Sequence, residues 1–168
     1  SSPNTTGLRI FHEPARLRGL IEGLVSVKKV PLFVKLPPWP RDDENRRELL
    51  KLAATAVDAG VDGLVIANTH PIESSRLQVG RGGLSGAPLF EHTELMIADI
   101  QAQVQGEVAI IACGGVSTGE HVWKLLASGA SAVQLYTAFI YEGPGLPARI
   151  NKRVSKLMSA AGITNIGD

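Results

Sequence analysis

The chain has 168 residues, 44% of them hydrophobic and 20% charged, enough for one domain with a sizeable core. A net charge of +1 excludes the broad basic footprint of a nucleic-acid or anionic-membrane binder, and the single cysteine, Cys113, excludes an internal disulfide and fits a reducing compartment. Within these residues there is no signal-peptide or transit-peptide pattern and no apolar run long enough to span a bilayer.

In chain order, "SSPNTTGLR" opens with hydroxyls, a carboxamide, a proline and a glycine. It reads either as a solvated tail or as the exposed end of an active-site loop. "EPARLRGLIEGLVSVKK" predicts a helix with Leu17, Leu20, Ile21 and Leu24 inward. "VPLFVKL", from Val30 to Leu36, predicts a buried strand broken only by Lys35. "DENRRELLKLAATAVDAG" predicts a helix with Leu49, Leu52, Ala53, Ala56 and Val57 on one face and Gly60 as its stop. "VDGLVIANT", from Val61 to Thr69, is the next strand. A glycine-rich excursion from His70 to Pro88 follows, with "GRGGLSGAPL", from Gly80 to Leu89, reading as a loop that wraps a ligand, and then a helix from about Glu91 to Gln105.

"EVAIIACGG", from Glu107 to Gly115, is a strand ending in paired glycines, and Ser117 with Glu120 forms a capping box that starts a helix. "SAVQLYTA", from Ser131 to Ala138, is the last strand. A helix from about Pro144 places Leu146, Ile150, Val154, Leu157 and Ala161 on one side. Arg149, Lys152, Arg153 and Lys156 fall mostly on the other, a solvated face. Continuous apolar strands alternating with helices predict an α/β fold with a parallel sheet covered on both faces. Four such units fit a small doubly wound domain or half of a (β/α)8 TIM barrel.

The strand ends favour the barrel. Lys35, Asn68 with Thr69, Gly114 with Gly115, and Tyr136 with Thr137 all stand at carboxyl ends of predicted strands, where barrel enzymes keep their active sites. Gly114 and Gly115 allow a backbone to approach an anion closely, or simply make a tight turn. Lys35 can stabilise negative charge, or snorkel at a sheet edge. Asn68 offers donors and an acceptor to a ligand, or forms a turn with Thr69. His12, His70, His92 and His121 lack metal-ligand spacing and receive no role. Cys113 reads as a small buried hydrophobe rather than a nucleophile. Trp39 reads as a loop aromatic covering apolar surface, and Trp123 as packed in its helix.

Taken together in this order and spacing, "SSPNTTGLR", "FVKLPP", "GLVIANT", "GGLSGAPL", "IIACGGVSTGEH" and "GASAVQLYTAFIYEGP" closely resemble the second half of dihydroorotate dehydrogenase, in its quinone-dependent (class 2), membrane-associated branch. The resemblance implies that residues 1–168 form the C-terminal half of an FMN-binding (β/α)8 barrel. It implies oxidation of dihydroorotate to orotate, with hydride passing from C6 to FMN and quinone as final electron acceptor. Ser2 matches the catalytic base that removes the C5 proton. Asn4, Asn68 and Thr69 match substrate-binding positions. Lys35, Ala67, Ser85, Gly86, Gly114, Gly115, Tyr136 and Thr137 fall at FMN-contacting positions, with Gly115, Tyr136 and Thr137 around the phosphate.

Two local departures stand out. Ala67 replaces a threonine whose side chain contacts FMN in the family, so only a backbone contact is expected there. "KLPPWP" resembles the soluble class 1A enzymes, which use cysteine as base, whereas the serine motif points to class 2. The resemblance also leaves the first four strands, another flavin-contacting loop, a substrate-binding lysine and the membrane-docking helices to sequence before Ser1. The expected partners are therefore dihydroorotate or orotate, quinone and the remaining half of the barrel, with self-association of an open half barrel as an alternative. The parent is expected at a bacterial plasma membrane or mitochondrial inner membrane, with this portion soluble. Two rivals remain on the residues alone. One is a non-flavin phosphate-binding barrel of isomerase or aldolase type. The other is a non-catalytic half-barrel binding module.

Overall fold

The computed structural model of the chain describes residues 12–38, 40 and 42–166. Ser2, Asn4, Trp39 and the opening run lie outside the described residues. Helix α1 spans Pro14–Val25, strand β1 Phe33–Lys35, helix α2 Asp43–Asp58 and strand β2 Gly63–Ile66. A hairpin of β3, His70–Glu73, and β4, Arg81–Leu84, comes next. A 3₁₀ turn at Ala87–Leu89 then leads into α3, Phe90–Val104. Strand β5, Ala109–Cys113, helix α4, Gly119–Ala127, strand β6, Ala132–Gln134, and helices α5, Thr137–Glu142, and α6, Leu146–Ala161, complete the order.

Local chemistry sets the helix ends. Asp42 accepts from the Asn45 amide at 2.9 Å and caps α2, with Asp43 and Glu44 complementing the positive end of the helix. The expected capping box at Ser117 moves by one residue. Thr118 is the cap, its hydroxyl accepting from His121 N at 3.1 Å, and α4 begins at Gly119.

The four principal strands form one parallel sheet in the order β1-β2-β5-β6, each crossover running through a helix. Lys35 stands beside Val65, Val65 beside Ile111, and Ile111 beside Ala132. Side chains alternate across the sheet, so this row shares one face, while Leu64, Ile66, Ile110 and Ala112 point to the other. That second face is sealed. Leu64, Ile66 and Ala112 are fully buried, packed with Leu49, Leu52, Ala53 and Ala56 of α2 and Met96, Ile97 and Ile100 of α3. Each fully buried Leu or Ile contributes roughly 2–3 kcal/mol of transfer free energy.

The first face corrects the expectation of a sheet covered on both sides. Phe33, Lys35, Ala132 and Gln134 are exposed there, and Val65, Ala109, Ile111 and Cys113 are only half-buried. Its residues are apolar enough to read as core, yet the described core lies on the opposite side. Three further readings change. Leu20 and Leu24 of α1 are each 42% exposed rather than inward. Ala161 is exposed at the end of α6, whose buried side is Leu146, Ile150 and Val154. The stretch expected to be a strand up to Ala138 stops at Gln134, and Thr137 already starts α5. The basic side of α6 is exposed as expected, with Arg149 and Arg153 paired to Glu142 and Glu120.

Candidate functional site

The carboxyl ends of β1, β2, β5 and β6 lie along one rim because all four strands are parallel. Lys35 closes β1 with its side chain on the open face. β1 is an edge strand with Phe33 and Lys35 exposed, so the expectation of a buried strand there does not hold. Its Nζ approaches Cys113 Sγ at 3.7 Å. Cys113 is half-buried with its side chain on that open face, not a core hydrophobe. Between α1 and β1 lies a groove of about 300 Å³, lined by Leu17, Leu20, Ile21, Leu24, Phe33 and Lys35 among others.

At the end of β2, Ala67 is buried, its amide donating to the Cys113 carbonyl at 2.7 Å. Asn68 folds back so that its Oδ1 accepts from Thr69 N at 2.8 Å. The hairpin beyond it occupies most of the region expected to be an irregular glycine loop. Its pairing is antiparallel, His70 opposite Leu84 and Pro71 opposite Gly83. Gly83 is required there: a Cβ would lie 2.3 Å from Thr69 Oγ1. The hairpin is thereby pressed against the Asn68–Thr69 step, fixing both residues at the rim.

The remaining predicted residues converge through residues 85–93. Thr137 Oγ1 donates to Ser85 Oγ at 3.1 Å. Gly86 has φ +83, and a Cβ on it would come within 3.0 Å of Thr137 Cγ2. The Gly114–Gly115 turn, with φ +142 and +75, rests on the start of α3: Gly114 faces Thr93 Oγ1, and Gly115 faces the Phe90 backbone. Tyr136 precedes α5 with 76% of its surface exposed. Ser85, Gly86 and Thr137 are therefore one contact group, joined to Gly114 and Gly115 by the short segment running from Gly86 to Thr93.

Two supports of this rim carry no sequence motif. Thr93, 5% exposed, sits directly behind Gly114. His121 stacks on Phe90, ring centroids 3.9 Å apart at 19°, and its Nδ1 receives the Ser117 amide at 3.3 Å. The only signal for the second is the four-residue spacing of Ser117 and His121 around the cap. Among the described residues three carboxylates have a clearly lowered pKa: Asp62 just before β2, Asp42 at the cap of α2 and Glu120 in the first turn of α4. Leu32 N–H and Lys28 hold Asp62 below its ordinary range, and Arg153 does the same for Glu120. Among the described residues, no group of three or more His, Cys, Asp or Glu side chains could hold a metal ion.

Comparison with known proteins gives a coherent result. The family model described as Dihydroorotate dehydrogenase matches residues 1–158. A dihydroorotate dehydrogenase (quinone) of Sphingopyxis alaskensis is 34% identical, covering 100% of this chain and 48% of its own length. The mitochondrial dihydroorotate dehydrogenase (quinone) of Arabidopsis thaliana is 36% identical, covering 99% and 38%. The ligand-free crystal structure of DHODH from Eimeria tenella superposes with a TM-score of 0.85 at 34% identity, covering 100% of this chain and 52% of that one. The chain thus spans about half the length of the relatives it matches, and its α/β fold with a parallel sheet is that of part of a TIM barrel.

Proposed function

The chain belongs to the dihydroorotate dehydrogenase family, and from that premise we propose that it forms the phosphate-side half of an FMN-binding barrel that oxidises dihydroorotate to orotate. The carrying observation is the convergence of Ser85, Gly86 and Thr137 with the left-handed Gly114–Gly115 turn on one parallel-sheet rim. Two hydroxyls and glycines without side chains suit an anionic phosphate. Lys35, on the open face at the same rim, suits the electron-rich edge of a flavin. The donor set therefore fits FMN.

When bound, FMN supplies the hydride acceptor and passes electrons on to a quinone. The chain's own residues bind and orient. Gly86, Gly114, Gly115, Ser85, Tyr136 and Thr137 hold the phosphate end, with Tyr136 contributing its backbone because its side chain points to solvent. Lys35 and the Ala67 backbone face the ring. Asn68 and Thr69, held beneath the hairpin, orient the substrate together with Asn4. Ser2 takes the C5 proton, a role that requires a dry site, since an alcohol is a weak base in water. Closing the open face is the task of the portion of the relatives that this chain does not match. Membrane association and quinone access are assigned to that same portion. No helix among the described residues is long and apolar enough to cross a membrane.

The test is the visible absorption spectrum after incubation with FMN and gel filtration, for the chain alone and co-expressed with the unmatched portion of the Sphingopyxis relative. The reconstituted pair is expected to retain flavin and turn over dihydroorotate, and Ser2→Ala to abolish turnover while sparing the flavin band. A reconstituted pair without flavin overturns the cofactor reading. Persistent turnover in the Ser2 variant overturns the assignment of the base.

A further inference from the structure

We infer that His121, which lies outside the set of ligand-contacting residues, is a positioning residue for the Gly114–Ser117 turn. The inference rests on the proposed use of that turn as a phosphate cradle. The turn is clamped from two sides. On one side Gly115 lies so close to α3 that a Cβ would stand 2.3 Å from Phe90 N and 2.5 Å from Phe90 Cα. On the other, the Ser117 amide points at His121 Nδ1 at 3.3 Å, and Ser117 Oγ approaches the same nitrogen at 3.4 Å. One imidazole joins both sides, because its ring also stacks on the Phe90 ring at 3.9 Å. Lys124 Nζ lies 5.9 Å from the Phe90 ring centroid and adds a cation to the cluster.

A backbone N–H can only donate, so in this contact Nδ1 is the acceptor. His121 is itself held in place: Thr118 Oγ1 accepts from its amide at 3.1 Å. The residues from Ser117 to His121 therefore form a closed loop of hydrogen bonds. The loop adjoins the glycine pair, which Thr93 backs at Gly114 and Phe90 at Gly115. The ring's acceptor fixes Ser117, and its stacked face keeps Phe90 under Gly115.

Two substitutions separate acceptor from ring. His121→Asn keeps an acceptor near the Nδ1 position and removes the stack. His121→Phe keeps the stack and removes the acceptor. Amide hydrogen exchange at Ser117 reads the turn directly, in the full chain and without any ligand. Exchange is expected to be protected in wild type and His121→Asn, and about fivefold faster or more in His121→Phe, the equivalent of one lost hydrogen bond. Imidazole ¹⁵N shifts should show an unprotonated Nδ1. FMN affinity, by fluorescence titration of the reconstituted pair, should fall about fivefold in His121→Phe and recover in His121→Asn. The opposite order, with His121→Phe intact and His121→Asn impaired, would reduce His121 to packing and overturn the inference, as would a protonated Nδ1. Slower Ser117 exchange in wild type combined with unchanged FMN affinity across the variants overturns the cradle role. A wild-type pair that binds no FMN refutes the proposed function instead, leaving the clamp to be judged by exchange alone.

Discussion

Gly115→Ala is the sharpest structural test of the rim. Gly115 has φ +75, a conformation that costs an L-residue about 1 kcal/mol. Steric conflict costs more. The new Cβ would stand 2.3 Å from Phe90 N, 2.5 Å from its Cα and 2.7 Å from its Cβ. These are atoms of the first residue of α3 and cannot rotate away. Relief requires moving the start of a helix whose Met96, Ile97 and Ile100 are fully buried against the sheet. Forced overpacking of this kind costs about 1–3 kcal/mol, for a total of about 2–4 kcal/mol. In a chain of this size that corresponds to a melting-temperature drop of about 5–12 °C. Gly80→Ala is the matched control. Gly80 has φ +70 but nothing within 4 Å of an added Cβ, so only the backbone conformation is penalised, by about 1 kcal/mol or 2–4 °C. Thermal unfolding followed by circular dichroism compares the two. Equal losses would show that the Gly115–Phe90 contact does not constrain the turn.

Three further outcomes are expected. Ile110→Ala, at a position 1% exposed on the helix-covered face, should cost about 3–4 kcal/mol in urea unfolding; a cost under about 1 kcal/mol would place the core elsewhere. Ile111→Asp, one residue on and facing the open side, should barely change that unfolding but reduce any concentration-dependent association of the chain seen by light scattering; a large loss of stability would show that this face is already covered. Asp62 accepts from Leu32 N at 2.6 Å and pairs with Lys28, which depresses its pKa. Its folded-state pKa lies below the unfolded one, so its contribution is present above about pH 4 and is lost as pH falls further. Asp62→Asn should therefore flatten the acid limb of a plot of melting temperature against pH, and an unchanged limb would contradict this account.

The order of helices and strands was legible because periodicity and punctuation agree: Gly60, read as the stop of α2, follows the helix at φ +93. The rim was legible for the same reason, since in a parallel sheet every strand end falls on one side. The hairpin was not. Gly82 and Gly83 lower strand propensity, and Pro71 lacks an amide, yet Gly83 is there because Thr69 leaves no room for a side chain. Coverage of the sheet was not legible either. Val65 and Ile111 are as apolar as Leu64 and Ile110, so composition shows that both faces suit a core without showing which face this chain itself fills. Leu20 and Leu24 misled in the same way, being apolar residues beside the open edge of β1.

That open face bears directly on what Lys35 can do. A unit charge pair at 4 Å is worth about 1 kcal/mol in water and about 4 kcal/mol at the effective dielectric of a protein surface. Lys35 is solvent-exposed on an edge strand, so in the chain alone it works close to the first limit. Covering the face would move it toward the second without altering any residue of this chain. Lys35→Met is thus expected to weaken FMN binding by less than about fivefold in the isolated chain and by at least about tenfold in the reconstituted pair. Stability should change little in the isolated chain, because the side chain buries little there. Fluorescence titration of FMN against both forms measures the two ratios. A large effect in both would mean that Lys35 already faces a dry site and that the open face is closed by this chain itself. A small effect in both would remove Lys35 from the flavin site. Only a small effect that becomes large on reconstitution agrees with a chain that brings the phosphate cradle ready-made and depends on its complement for the low dielectric in which the charge acts.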